Sequence, residues 1–262
     1  MGCSSQQLDG NSLLVVVFPV SFRPRRRRGP PRQQTLRATI DWSYRLLTKK
    51  ERILLRRLSV FNGGWTLEAV EAVGAGDGIE TFEVLDLLCH LLDKSLILTE
   101  EIAGQIRYRR LESIRFYARE RFLASDEVAA IRDRHLAYCV EWAEQIRPEF
   151  SGAQWRAQRA KAARELENAR SAMAWALDNG DAERAMRIAV ALRVMWDTGR
   201  QEEGRRWLQR GLEQQEKLPP ALRSDVLRGL GFMAGRLHDY EASLAYFRQA
   251  LRVAHSIEDP FL

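Results

Sequence analysis

Hydrophobic positions recur along this chain at two different periods, and the switch between them marks out its parts. From Thr35 they fall three or four residues apart, at Leu36, Ile40, Tyr44 and Leu47, which places them on one stripe of a helix. Thr48, with Glu51 three residues later, has the form of a capping box and opens a second helix, with Ile53, Leu54, Leu58 and Phe61 as its buried face. Asn62-Gly63-Gly64 ends that helix, and Thr66 caps a short third one carrying Leu67, Val70 and Val73. A loop, Gly74-Ala75-Gly76-Asp77-Gly78, leads to a fourth helix over about Glu80 to Asp93, with Phe82, Leu85, Leu88, Leu91 and Leu92 apolar. The period then drops to two: Leu96 and Leu98 share one strand face, Ile106 and Tyr108 share another, and Gly104 supplies the turn between them. A further amphipathic helix runs to Phe122.

Helix, hairpin, helix is the skeleton of a winged-helix module, which the pattern places over residues 35–125. From Glu127 onward the reading is helix after helix, at about 127–146, 155–177, 181–197, 200–216, 220–237 and 240–255. The separators are Arg147-Pro148 with Ser151-Gly152, then Asn179-Gly180, Thr198-Gly199, Leu218-Pro219 and His238-Asp239. Such regular punctuation is what a repeat array produces. Setting the segment from Arg200 over the one from Asp239 aligns Gly204 with Ser243, Gly211 with Ala250, Leu208 with Phe247 and Trp207 with Tyr246. Small residues let paired helices approach closely and large ones fill the groove between them, so Gly204, Leu208, Gly211, Gly231, Ser243, Phe247 and Ala250 are the expected packing positions of stacked helix pairs. The last pair resembles a tetratricopeptide repeat, with Leu230-Gly231 in its first helix and Ser243, Phe247 and Ala250 at that family's small, aromatic, small spacing. It departs in having Ser243 where alanine is usual, and Pro260 late. The expected fold is therefore mainly α: a winged helix with a small β-hairpin, followed by an α-solenoid of tetratricopeptide-like helix pairs over residues 126–262.

The formal charge of +6 and a pI near 9.5 invite a nucleic-acid reading. Residues 1–34 weaken it, because they hold six Arg against the single acid Asp9, a net of +5 out of the +6. The folded remainder is nearly neutral and exerts no general pull on phosphate. The cluster Arg25, Arg26, Arg27 and Arg28 lies among prolines, where like-charge repulsion opposes regular structure; a solvated, disordered linker explains it more simply than a nucleic-acid arm. The fourth helix, which would enter the major groove of DNA, carries Glu80, Glu83, Asp86 and Asp93 with only Lys94 opposing at its end, and is a poor reader of bases. If nucleic acid is bound, Arg25, Arg26, Arg27 and Arg28 of the tail and Arg107 and Arg109 of the wing are the candidate contacts. A solvated face balanced by Glu112 and Glu120 explains the wing more simply. Cys3, Cys89 and Cys139 fit neither a zinc site nor a disulfide framework, and suit a reducing cytoplasm. The longest apolar run, Leu13 to Val20, is too short to span a bilayer and has no basic residue before it, and Gln6 breaks a myristoylation motif, so no membrane anchor is expected.

No P-loop, nucleophile elbow, H-E-x-x-H or C-x-x-C occurs, so no catalytic residue, metal site or cofactor is expected. The loop Gly74–Gly78 has glycine at every second position, as in a phosphate cradle, but it joins helix to helix and lacks the Gly-Lys-Ser/Thr ending, which leaves a flexible connector. His135 and Cys139 sit one helical turn apart without a third ligand and read as a packed pair. Glu165 and Glu167 read as a wet helix face, and the seven tryptophans as core.

Four segments in combination, Gln34–Tyr44, Leu58–Ala69, Leu91–Leu96 and Tyr108–Ala118, resemble the middle of bacterial STAND-class ATPase regulators, which include LuxR-type and AfsR-like transcription factors. The likeness covers about residue 25 to the end. It implies a nucleotide-binding P-loop domain before the winged helix, a repeat array after it, and an output domain at one terminus, with the winged helix packed on the ATPase instead of on DNA. No nucleotide-binding residue carries over, since this chain begins at the linker before the winged helix; the resemblance thus implies a fragment. The expected function is a non-enzymatic regulatory module. Its array would hold a protein or small-molecule ligand, its winged helix would couple that event to an ATPase domain acting in trans, and DNA binding is the alternative.

Overall fold

The structure, a computed structural model, describes residues 31–146, 153–197 and 199–258. The Arg25–Arg28 cluster, the separator 147–152, Thr198 and Pro260 lie outside them. Among the described residues the fold is mainly helical with one two-stranded sheet: α1 Pro31–Arg45, α2 Lys49–Arg57, α3 Leu67–Gly74, α4 Val84–Asp93, β1 Leu98–Ile102, β2 Gln105–Arg109, α5 Glu112–Leu123, α6 Val128–Gln145, α7 Ala153–Asp178, α8 Ala182–Ala191, α9 Arg193–Trp196, α10 Gln201–Leu212, α11 Pro220–Arg236 and α12 Tyr240–Glu258. α1 begins four residues before Thr35, at a proline; the first helical position tolerates one because its amide would have no helical partner.

Local chemistry explains most of the early boundaries. The Thr48 hydroxyl accepts from the Glu51 amide at 3.3 Å and the Glu51 carboxylate from the Thr48 amide at 2.7 Å, closing the capping box that starts α2. Thr66 caps α3 through the Ala69 amide. β1 and β2 pair antiparallel from Leu98 opposite Arg109 to Ile102 opposite Gln105, and the turn places Ala103 and Gly104 at positive φ, the geometry that suits the twist of a tight hairpin. Trp65 and Tyr108 exchange backbone hydrogen bonds of 2.9 and 2.8 Å, adding a one-residue third strand. This pairing alters the expected alternation. Tyr108 is buried, but Ile106 is 59% exposed and Leu96 lies just before β1.

Two large apolar cores result, beside a small third cluster of Leu227, Ala250 and Val253 between α11 and α12. One gathers α1 to α5 around Leu54, Leu58, Phe61, Trp65, Leu88, Ile97 and Phe122; the other gathers α6 to α11 around Leu136, Ala169, Met173, Ile188, Trp196 and Leu230. α6 serves both, with Ile131 in the first and Leu136, Cys139 and Val140 in the second. The single helix expected over 181–197 is broken at Leu192. The Trp196 indole folds back and donates to the Ala189 carbonyl at 2.8 Å, the acceptor that the Arg193 amide would use in a continuous helix. Trp42, expected in the core, is 63% exposed.

α10, α11 and α12 stack in sequence, with α11 packed on both neighbours. A Cβ at Gly204 would lie 2.5 Å from the Cβ of Trp196, and one at Gly231 would meet the Phe247 ring at 2.9 Å. Gly211 lies against Met186 in the same way. Ser243 donates to the Gly231 carbonyl at 2.8 Å, a use for the hydroxyl that an alanine would lack. Leu208 and Ala250 are buried between these helices.

Candidate functional site

After α2 a 3-10 turn, Leu58–Val60, and Phe61 lead to Asn62-Gly63-Gly64-Trp65, a segment too glycine-rich to remain helical and too polar to be buried without partners. Its partners come from two directions. On one side the backbone of Trp65 is paired to Tyr108 of β2; a Cβ on Gly64 would approach the Tyr108 carbonyl to 3.0 Å, so glycine permits this close pass. On the other side stands α7. The Asn168 carboxamide oxygen accepts from the amides of Asn62 and Gly63 at 3.0 and 3.2 Å, and its nitrogen donates to the Gly64 carbonyl at 3.0 Å and to Glu165 at 2.7 Å. Both donors and both lone pairs of the amide are thereby used.

Arg107 closes the arrangement. Its guanidinium lies 2.5 Å from the second oxygen of Glu165 and donates to the Gly64 carbonyl at 3.0 Å. Glu165 is 7% exposed and Asn168 2%, so wing, loop and α7 meet in a dry polar cluster. A buried pair of this kind is strong evidence for a fixed geometry and weak evidence for stability, because desolvation offsets most of the attraction. Behind it Phe61 stacks on Trp65 at 5.7 Å and meets the edge of His135 at 5.1 Å. Arg110 lies over the Trp65 ring at 4.8 Å and donates to the carbonyls of Leu58 and Phe61. Burial pushes its guanidinium down to about 9.

Several expectations are corrected by this geometry. Arg107 does not face solvent or nucleic acid: β2 is sandwiched between Trp65 and α7, so consecutive residues are buried on its two sides. Arg109 is exposed and pairs with Glu100 across the hairpin at 3.4 Å. Glu165 is not part of a wet face, whereas Glu167 is exposed and paired with Arg170. The Gly74–Gly78 loop is not a slack connector. The buried Arg57 donates to the carbonyls of Gly74 and Gly76, and Arg134 to the Ala75 carbonyl and the Asp77 carboxylate. A phosphate cradle would present amides inward, and this loop presents carbonyls to arginines. The α4 segment contains no Lys or Arg, and Phe82 just before it is 81% exposed. His135 and Cys139 touch at 3.6 Å, both buried; burial lowers the imidazole to about 4 and raises the thiol, so both stay neutral. Among the described residues no three His, Cys, Asp or Glu converge as metal ligands would, and no helix is long and apolar enough to cross a membrane.

Asn168 carries no signal of its own on α7. The readable hint is position: Glu165 and Asn168 lie one turn apart beside the buried stripe Ala162, Leu166, Ala169 and Met173.

The fold and this loop-to-wing pairing are those of a winged helix, and residues 47–123 match the family model of the winged helix-turn-helix domain. Over 238 residues, 87% of the chain, the sequence is 37% identical to proteins named HTH-type transcriptional regulator in Mycobacterium bovis and Mycobacterium tuberculosis. The chain spans 27% of the length of those relatives. A shorter match, 37% over 124 residues, covers 47% of this chain and 32% of an uncharacterized Mycobacterium tuberculosis protein. Among solved structures the chain is similar to a signal transduction ATPase with numerous domains (STAND) carrying a tetratricopeptide repeat sensor, from Pyrococcus horikoshii. That similarity is at 16% identity and a TM-score of 0.29, covering 83% of this chain and 46% of the other.

Proposed function

We propose that the chain is a regulatory coupling module: a winged helix whose wing and Asn62–Trp65 loop are read by α7, the second helix of a repeat array. In this reading the array, residues 126–262, holds a protein or small ligand, and the winged helix passes the change to an ATPase or output domain in a longer regulator of the STAND class, of which LuxR-type and AfsR-like proteins are examples. The carrying observation is the clamp of Arg107, Glu165 and Asn168 on the loop backbone. It ties the position of the wing to that of α7 through five polar contacts without an intervening solvent layer. The relatives named as transcriptional regulators support a role in gene control; in this reading the segment works in the cytoplasm and catalyses nothing itself.

DNA binding is the second reading, favoured by the winged helix-turn-helix match. Against it stand the absence of Lys and Arg from α4 and the inward commitment of Arg107. Fluorescence anisotropy with duplex DNA at low and physiological salt separates the two. The coupling reading predicts weak, sequence-independent binding that disappears when residues 1–30, which leave α1 intact, are removed. Sequence-preferring binding by residues 31–262 would overturn it.

A further inference from the structure

Between the winged helix and the array, on the outer side of the clamp, lies a polar cavity of about 460 Å³ lined by Ser59, Arg115, Arg119, Arg132, Glu167 and Ser171 among others. Its carboxylates are already matched: Glu112 at its rim pairs with Arg115 at 2.8 Å, and Glu167 pairs with Arg170. Arg119 and Arg132 have no carboxylate partner among the described residues. Arg132 lies over the Trp175 ring at 4.8 Å. Burial first, and then the positive charge of Arg119, hold its guanidinium below the usual arginine range. Two guanidiniums without a carboxylate partner thus line one cavity. Ser59 lines the cavity, and its buried hydroxyl has no hydrogen-bond partner among the described residues, where a buried hydroxyl normally has one.

One occupant of opposite charge would serve both guanidiniums and the Ser59 hydroxyl. We propose that the cavity binds a small phosphate-bearing molecule, with Arg119 and Arg132 donating to its oxygens and Ser59 and Ser171 supplying hydroxyl donors. Guanidinium forks match phosphate geometry, several donors are needed to satisfy its oxygens, and the volume falls within the range of ordinary small-ligand sites. Arg115 extends from the cavity to the Asn62 side chain at 3.2 Å, so an occupant would touch the loop that Asn168 grips. This inference goes beyond the coupling reading and stands without it, since binding is measured on this chain alone.

The test is isothermal titration of the full chain with inorganic phosphate, and with citrate as a carboxylate comparison. Expected are one saturable phosphate site, roughly tenfold weaker in Arg119→Gln and several-fold weaker in Ser59→Ala, with Arg109→Gln unchanged because that residue pairs with Glu100 away from the cavity. Arg119 is exposed and Ser59→Ala removes one oxygen, so both variants should keep the wild-type circular dichroism melt. No saturable phosphate binding, equal affinity in Arg119→Gln and Ser59→Ala, an Arg109→Gln loss matching that of Arg119→Gln, or a site that takes citrate and refuses phosphate would each overturn the assignment.

Discussion

Asn168 makes all of its side-chain bonds toward the Asn62–Gly64 loop and its neighbour Glu165, which leaves little tolerance for substitution. Other single residues are as narrowly set. At Gly204 an added Cβ meets the rigid indole of Trp196, while at Gly229 it meets only the tip of Leu208, 2.9 Å away and able to rotate. Gly204→Ala should therefore destabilise the protein by about 1–3 kcal/mol despite the better helix propensity of alanine, with Gly229→Ala near neutral, as measured by urea unfolding. His135 sets a pH dependence. Folded, it titrates near 4, held there by burial and secondarily by Arg132; unfolded, it titrates near 6.5. The unfolded chain binds the extra proton between those values, so stability present above the unfolded value is lost as pH falls from 6.5 toward 4, by at most about 1.4 kcal/mol per pH unit. The depressed carboxylates of Glu51 and Glu203 act below that upper window. His135→Leu should flatten the slope between pH 6.5 and 5 in urea midpoints, and an unchanged slope would refute this origin.

At the level of elements, the pair across β2 and α7 gives the clearest energetic prediction. Glu165→Ala leaves Arg107 buried without its counter-charge and should cost about 3–5 kcal/mol, whereas Arg107→Met with Glu165→Leu should recover most of that loss in a double-mutant cycle. The elements differ in how far the sequence exposed them. The caps at Thr48 and Thr66 and the hairpin turn at Gly104 were legible because each depends on residues a few positions apart. The break at Leu192 was not, since it arises from one indole competing for the Ala189 carbonyl. Nor was the inward role of Glu165, Asn168 and Arg107. On a helix rich in charge a buried carboxylate looks like an exposed one until the distant loop that covers it is in place, and alternation along β2 fails where both strand faces are covered.

Across the whole molecule, the two large cores are joined by α6, which contributes to both, and by the polar clamp on α7. That arrangement favours a single cooperative transition by tryptophan fluorescence and far-ultraviolet circular dichroism, and Asn168→Ala should separate the two probes. The central claim is that α7 holds the wing in place. Amide hydrogen exchange tests it most directly in the wild type and in Asn168→Ala, at the Trp65 and Tyr108 amides, which bond to each other's carbonyls. The account predicts that protection at these two amides falls in Asn168→Ala while that of α11 and α12 is unchanged. Equal protection in the two proteins would contradict it.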